Sequence, residues 1–145
     1  MKRKKIQEVF IVFLQLLLGA MFFYAAIDKI YNPAKFAEII FHYKILPFAF
    51  LNLCAIIIPW IEVGLSILLI FDVWPEIGAI ILIVLTTVFV ILIATAMGRG
   101  LNIECGCFSL DSGNSYVGWK RIIEDLLIIG GGLLILRRHL SGKVI

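Results

Sequence analysis

The sequence predicts an all-α polytopic membrane protein, a bundle of four transmembrane helices with a short interfacial helix between the first and the second. Hydrophobic residues make up 62% of the 145 residues and charged residues 16%, where a soluble domain has about 25% charged residues. Four apolar runs each approach the roughly 20 residues needed to cross a bilayer core: residues 6–27, 48–71, 77–97 and 116–136. Because no linker separates these runs, residues 1–145 are predicted to form one domain.

The first apolar run follows a basic cluster made of Lys2, Arg3, Lys4 and Lys5. The run is longer than the 7–15 apolar residues, roughly, of a signal peptide. We therefore expect a retained first helix, with the basic cluster in the cytoplasm by the positive-inside rule. Four spans then leave both termini cytoplasmic in the inner (cytoplasmic) membrane and place the loop between the third and fourth helices on the outer face.

The interfacial helix is predicted between Pro33 and Leu46, after the break at Asn32-Pro33. Its apolar residues follow helical spacing, at Phe36, Ile39, Ile40 and Tyr43, while Lys35, Glu38 and His42 fall on other faces. A helix with one apolar face that is too short to span is expected to lie in the membrane interface.

The second and fourth predicted helices each contain a feature that affects packing. Pro59 removes one backbone hydrogen bond from the second helix and is expected to kink it. Three consecutive glycines, residues 130–132, would allow the fourth helix to approach a neighbour closely.

The loop between the third and fourth helices carries Cys105 and Cys107 on either side of Gly106. One interpretation is a redox dithiol, because Gly106 permits a tight turn and a disulfide across one intervening residue is strained, hence readily reduced. A second is a soft-metal site, although the chain offers no further Cys/His pair beside it and we predict no bound metal. The third is a pair of unreactive small residues in a loop. Placed on the outer face, a disulfide could form and persist.

The third thiol, Cys54, lies about two turns into the second helix, in the same half of the bilayer as the cysteine loop. It could resolve a mixed disulfide with Cys105 or Cys107. The alternative is a small side chain that packs in the bundle.

Charged residues inside or near the predicted spans are candidates for a proton relay or a structural polar network. Glu62 lies near the middle of the second helix, where a carboxylate must be protonated or paired with a cation on another helix. Asp28 and Lys29 end the first helix and are expected to be interfacial anchors. Early in the fourth helix we expect two opposite-charge i, i+4 pairs, Lys120 with Glu124 and Arg121 with Asp125.

Several of these segments resemble the MauE branch of the DoxX-like four-helix membrane proteins over nearly the whole chain. The matching segments are Tyr24 to Lys29 followed by Asn32-Pro33 and Phe36, then Pro59-Trp60-Ile61-Glu62, and, most specifically, Gly98-Arg99-Gly100 followed by Glu104-Cys105-Gly106-Cys107-Phe108. Two positions depart from the family pattern. Ser109 replaces the usual glycine, and Glu124 precedes Asp125 where many members have arginine.

The resemblance implies a redox-associated membrane protein, similar to those linked to methylamine utilisation, in which Cys105 and Cys107 exchange disulfides with an extracytoplasmic partner. The implied partner is a thioredoxin-like protein or a client thiol protein, beside the lipid bilayer itself, and no nucleic acid. No cofactor is certain; a quinone is one candidate acceptor, with Trp60, Tyr24 and Phe108 as its candidate lining. Whether the chain is an enzyme, a thiol-disulfide oxidoreductase, is left open.

Two other classes of function remain compatible with the sequence. A non-catalytic assembly subunit would use the bundle to hold a partner and would need no thiol chemistry. A small transporter or quinone-linked subunit would be centred on Glu62.

Overall fold

A computed structural model of the chain describes residues 2–101 and 118–143, and all regular secondary structure in these ranges is helical. The predicted all-α class is confirmed. The five helices are α1 (Lys2–Tyr31), α2 (Pro33–His42), α3 (Phe48–Ile70), α4 (Pro75–Gly98) and α5 (Trp119–Lys143).

The proline residues set most of the helix boundaries. Pro33 and Pro75 lie in the first turn of α2 and of α4, respectively. The missing N–H of proline removes no hydrogen bond there, because the first N–H groups of a helix have no partner within the helix. Pro47 is the N-cap of α3 in an extended conformation. The turn from α3 to α4 is so short that two of its residues, Asp72 and Trp74, adopt left-handed backbone angles, with φ of 53° and 49°.

The bundle is held together by close contacts between antiparallel helices. Gly19 of α1 lies against Ile70 and Leu69 of α3, and Gly132 of α5 lies against Ile83 and Leu82 of α4. The close approach expected at the three glycines of α5 is confirmed for Gly131 and Gly132. A Cβ added to Gly131 would contact Leu18 and Leu14 of α1, whereas a Cβ added to Gly130 would meet no atom within 4 Å. The main core joins α1, α3, α4 and α5 and consists of Leu18, Phe22, Leu65, Leu69, Ala79, Leu82, Ile128 and Ile135.

The short helix α2 packs across one end of the bundle. Its predicted apolar face is confirmed, because Phe36, Ile39 and Tyr43 are buried against Ala55 of α3 and Ala96 of α4. Glu38 and His42 are exposed, as expected for the opposite faces. The placement of α2 in a membrane interface stays a prediction.

Three helices in the described ranges are long and apolar enough to cross a membrane: Lys5–Tyr31, Phe48–Ile70 and Pro75–Gly98. The fourth expected span corresponds to α5, which has 25 residues but carries charge near both ends and an apolar stretch only from Leu126 to Leu136. Length and composition therefore support three spans, and α5 as the fourth is taken up below as a proposal.

Candidate functional site

A buried ion pair links the end of α1 to the middle of α3. The Nζ of Lys29 lies 2.6 Å from the Oε1 of Glu62, and each side chain is only 1% exposed. The ammonium group also lies 5.2 Å from the ring centroid of Phe36 and 5.6 Å from that of Phe89, within the range of cation–π attraction. The cation is therefore stabilised by groups from α2, α3 and α4 together.

Two residues of α3 near Glu62, Ser66 and Pro59, alter the backbone hydrogen bonding of the helix. Ser66, one turn after Glu62, donates its hydroxyl to the Glu62 carbonyl oxygen at 2.6 Å. Pro59, almost one turn before Glu62, has no N–H to donate to the Ala55 carbonyl. Ser66 therefore hydrogen-bonds the backbone of Glu62 and not its carboxylate.

Of the two alternatives stated for Glu62, protonation or pairing with a cation on a neighbouring helix, the structure shows a pairing, and the cation is Lys29. The expectation that Lys29 is an interfacial anchor is wrong, because its side chain turns into the bundle and is buried. Asp28, the preceding residue, is half-buried and contributes a nearby negative charge.

Two pockets lie near the ion pair, and one of them is lined by Lys29 itself. A pocket of about 120 Å³ is lined by Lys29, Pro59 and Trp60 together with Ile30, Pro33, Ala55 and Ile56. An apolar cavity of about 220 Å³ lies between α2, α3 and α4, and its walls include Phe36, Tyr43, Cys54, Ile58, Phe89 and Leu92. Because Phe36 and Phe89 also flank the ammonium group of Lys29, the ion pair and the apolar cavity share two aromatic walls.

Cys54 is a free, half-buried thiol on the wall of the apolar cavity. The Cys54 side chain therefore packs in the bundle and also faces a cavity. Cys105 and Cys107 lie outside the described residues, so an exchange between either of them and Cys54 stays a prediction.

The base of the cysteine loop is formed by residues of α2, α4 and α5. Arg99, at the C-terminal end of α4, donates from Nη2 to the Tyr43 carbonyl oxygen at 3.0 Å. Burial and the negative charge of Asp125 raise the pKa of the Tyr43 phenol to about 12, while the positive charge of Arg121 acts in the opposite direction. One end of the bundle, where α4 is followed by Leu101 and α5 is preceded by Gly118, therefore contains Tyr43, Arg99, Arg121 and Asp125.

The structure shows an i, i+3 pair in α5 that was not predicted, and Arg121 is also close enough to its predicted partner Asp125 for its positive charge to act on that carboxylate. The Nη1 of Arg121 lies 2.7 Å from the Oε2 of Glu124, three residues later. Lys120, the partner expected for Glu124, is exposed. Asp125 is buried, at 2% exposure, and faces the bundle because it lies one helical turn before the core residue Ile128.

A second polar cluster, at the opposite end of the bundle, is absent from the sequence prediction. The amide nitrogen of Gln15 donates to the Leu69 carbonyl and to Asp72 Oδ1, both at 2.8 Å. His139 Nε2 lies 3.8 Å from the same Asp72 oxygen. The signal for Gln15 was a single amide within an apolar run, which in a membrane helix indicates an inward-facing polar contact.

No group of three or more His, Cys, Asp or Glu side chains within residues 2–101 and 118–143 is arranged to hold a metal ion. The soft-metal interpretation of Cys105 and Cys107 concerns residues beyond those ranges and is not tested.

Apolar helices of membrane-spanning length packed around a buried lysine–glutamate pair define the class: a helical integral membrane protein with a polar site in its interior. The family model described as methylamine utilisation protein MauE matches residues 7–138, and the chain belongs to the MauE family. Methylamine utilization protein MauE of Methylophilus methylotrophus is 30% identical over 125 residues, covering 86% of this chain and 64% of that relative. The chain thus spans slightly less than two thirds of that relative's length. No solved structure matches the chain.

Proposed function

We propose that this membrane protein exchanges disulfides with an extracytoplasmic thiol protein through Cys105 and Cys107. The observation that carries the proposal is the Cys-Gly-Cys pair of a MauE-family chain, in a segment joined at both ends to a base containing two arginines. A cation near a thiol favours the reactive thiolate. Arg99 stands three residues before the loop segment 102–117 and Arg121 four residues after it, so both arginines lie at its base and support the proposal.

The location of the loop follows from the first three spans alone. With the N-terminal basic cluster in the cytoplasm, three crossings place the segment after α4 outside the cytoplasm. We propose α5 as a fourth span, since 25 helical residues extend roughly 37 Å at about 1.5 Å per residue. A fourth crossing returns the C-terminus to the cytoplasm without changing the side of the cysteine loop.

The exchange reaction conserves atoms and electrons in two steps. A client thiolate attacks the Cys105–Cys107 disulfide, forming a mixed disulfide and releasing one cysteine of the pair as a thiolate. A second client thiolate then attacks the client sulfur of the mixed disulfide and releases the other cysteine. The client gains one disulfide, and the pair gains two electrons and takes up two protons from water to become a dithiol.

The reduced pair must then give up two electrons, and a thioredoxin-like protein in its disulfide form is the proposed acceptor. A quinone is the alternative. The apolar cavity beside Cys54 has room for a small ring, but its polar side chains are limited to Tyr43 and Cys54. Of the residues suggested earlier as a quinone lining, Tyr24 and Trp60 are 69% and 62% exposed and do not line this cavity. Trp60 lines the smaller pocket beside Lys29 instead, and Phe108, the third residue suggested for this lining, lies outside the described residues.

The family name connects the relatives with methylamine utilisation. We propose a thiol-containing client in that process for this chain as well, and the identity of the client is left to experiment. An assembly role without thiol chemistry is the main competing function. Replacing both loop cysteines by serine distinguishes the two, because only the exchange function predicts complete loss of activity.

The direct test is alkylation of spheroplasts with a membrane-impermeant thiol reagent, with and without mild reduction, in a Cys54→Ser background. The proposal predicts that Cys105 and Cys107 are modified from outside, and only after reduction. Modification without reduction would show resting thiols and argue for reductive or metal chemistry. Modification only after permeabilisation would place the loop on the other side and contradict the proposal. The matched control is the variant that carries Cys105→Ser and Cys107→Ser and retains Cys54, which reports any reaction in the apolar cavity.

A further inference from the structure

The apolar cavity between α2, α3 and α4 offers few hydrogen-bonding groups to a ligand. Of its lining residues, only Tyr43 and Cys54 carry a polar side-chain atom. Apolar cavities of roughly 150 Å³ stay dry and bind small apolar molecules. At about 220 Å³, this cavity is therefore suited to an apolar ligand rather than to water.

The cavity opens along one side of the bundle. Its exposed lining residues are Val88 of α4 together with Ile45 and Leu46 of the connection between α2 and α3. The opposite wall is closed by Phe36 and Ile39 of α2, which are buried. Because every residue of the rim is apolar and lipid tails are as apolar as leucine, we expect the opening to face lipid.

The cavity extends along the helix axes by about the thickness of one lipid leaflet. Two of its lining residues, Ile58 and Val88, lie ten positions after the start of α3 and ten positions before the end of α4, respectively. At about 1.5 Å per residue, both are roughly 15 Å from that end of the bundle, which is half of the roughly 30 Å of a bilayer core. Ile45 and Leu46 line the other end of the cavity, before the start of α3. This shape fits a hydrocarbon chain that runs parallel to the helices.

Two cations lie at the end of the cavity that is lined by Ile45 and Leu46. Lys44, the residue before them, is exposed and has a left-handed backbone with φ of 52°. Arg99, after the end of α4, donates to the carbonyl oxygen of Tyr43, so its guanidinium is held beside the same connection. Lysine and arginine bind phosphate groups by charge-assisted hydrogen bonds. This end of the cavity therefore complements a phosphate group, whereas its interior complements a hydrocarbon chain.

We propose that the apolar cavity binds one acyl chain of a phospholipid, whose phosphate group contacts Lys44 and Arg99. Inside the cavity the chain packs against Phe36 and Phe89, the two aromatic side chains that also flank the ammonium group of Lys29. The bound lipid thus fills the space beside the buried ion pair and links α2 to α4. The proposal does not depend on thiol exchange in the cysteine loop.

The test is photo-cross-linking in vesicles that contain a phosphatidylglycerol with a diazirine group in one acyl chain. The full chain is reconstituted, irradiated and digested, and the modified residues are identified by mass spectrometry. Because Phe36 and Ile39 are buried, a chain that lies on the outer surface of the bundle does not reach them. The proposal predicts cross-links to these two residues. Cross-links confined to exposed residues of α4, such as Val84 and Ile91, would overturn it.

Two variants that fill the cavity show whether the chain enters it. Leu92→Trp and Cys54→Trp each enlarge a side chain of its wall, and Ile91→Trp, on the exposed side of α4, is the matched control. Cross-linking to Phe36 and Ile39 should fall at least about fivefold in both filling variants, because a close-packed interior leaves the chain no other space. The control should be unchanged. Equal cross-linking in the control and in whichever filling variant folds would overturn the proposal.

Competition between unlabelled lipids tests the phosphate contact. Unlabelled phosphatidylglycerol should suppress the cross-links in the cavity, whereas a diacylglycerol with the same chains should require at least about a tenfold higher mole fraction, because it lacks the charged acceptor. Lys44→Ala should reduce this difference. Lys120→Ala, a change at an exposed lysine in the first turn of α5, should leave it unchanged. Equal competition by the two lipids would overturn the phosphate contact and, with it, the assignment of the ligand as a phospholipid.

Discussion

The ammonium group of Lys29, two residues before the end of α1, lies 2.6 Å from the carboxylate of Glu62, in the middle of α3, and both side chains are 99% buried. The pair joins two helices that are separated in the chain by α2. In a bilayer interior neither charge could be left alone at low cost. The pair therefore fixes the relative position of α1 and α3 and gives the bundle a polar centre.

Removing one member of this pair is expected to destabilise the protein more than removing both. Lys29→Met or Glu62→Leu leaves a partner uncompensated, which typically costs about 3–5 kcal/mol for a buried pair. The double variant Lys29→Met, Glu62→Leu removes both charges and should be clearly more stable than Lys29→Met. The measurement is the free energy of unfolding of the purified protein in one detergent.

Lys120→Met is the matched control, because Lys120 is exposed and a surface substitution changes stability by no more than about 0.5 kcal/mol. Additive effects of the two single substitutions would contradict a direct interaction between Lys29 and Glu62.

Sequence periodicity predicted the helices because their boundaries depend on local chemistry. The apolar run 48–71 agrees with α3, Phe48–Ile70, to within one residue, since Pro47 precedes the helix and a polar turn follows it. The buried face of α2 could be predicted for the same reason: helical spacing of Phe36, Ile39 and Tyr43 marks one side.

The site was predicted only in part, because contacts between helices depend on rotation about each helix axis. In a nearly continuous apolar helix such as α1 the sequence contains little information about which side faces inward. Lys29 consequently resembled an anchor at a helix end, and Glu62 had no identified partner. Thr86 and Gln15 carried a weak signal as lone polar residues in apolar runs, but their partners and surroundings depend on the packing of the whole bundle.

The three consecutive glycines of α5 are expected to respond very differently to alanine. A Cβ on Gly132 would lie 2.9 Å from Ile83 Cγ1 and 3.0 Å from Leu82 Cδ2, whereas one on Gly130 would meet nothing within 4 Å. Gly132→Ala should therefore destabilise the bundle by about 1–3 kcal/mol through overpacking. Gly130→Ala should be neutral or should stabilise it by up to about 1 kcal/mol through helix propensity.

Thermal unfolding of the two glycine variants side by side in the same detergent provides the comparison. Adding Ile83→Val to Gly132→Ala should recover part of the loss by making room. Equal effects of the two glycine substitutions would show that α5 does not pack closely against α4.

The phenol of Tyr43 is expected to make stability fall at high pH. Burial first, and then the charge of Asp125, raise the pKa of this group from 10.0 to about 12 in the folded protein. Between these two values the unfolded chain has lost a proton that the folded chain still holds, so the free energy of unfolding decreases as pH rises through this window. Below this pH window the phenol is protonated in both the folded and the unfolded chain, and its contribution to the free energy of unfolding is fully present.

Unfolding measured from pH 9 to pH 12, on the basis of this pKa of about 12, should show a steeper decline for the unmodified protein than for Tyr43→Phe, which cannot ionise at this position. Tyr31→Phe is the control, because Tyr31 is 80% exposed. A decline that is identical in the unmodified protein and Tyr43→Phe would show that the phenol is not buried in the folded state.

The side of the membrane on which the C-terminus lies shows whether α5 crosses the membrane. If it does, the N-terminus and the C-terminus lie on the same side, and epitope tags added at either end should both be protected from protease in intact spheroplasts and cleaved after permeabilisation. If α5 instead lies along the bundle without crossing, the tag at the C-terminus should be cleaved in intact spheroplasts while the tag at the N-terminus stays protected. The internal packing of α5, with residue 131 against Leu18 and residue 132 against Ile83, favours the first result. A helix that contacts both α1 and α4 along its apolar stretch is expected to run beside them through the bilayer core, with its charged ends near the two surfaces, which is the arrangement that the tag experiment tests.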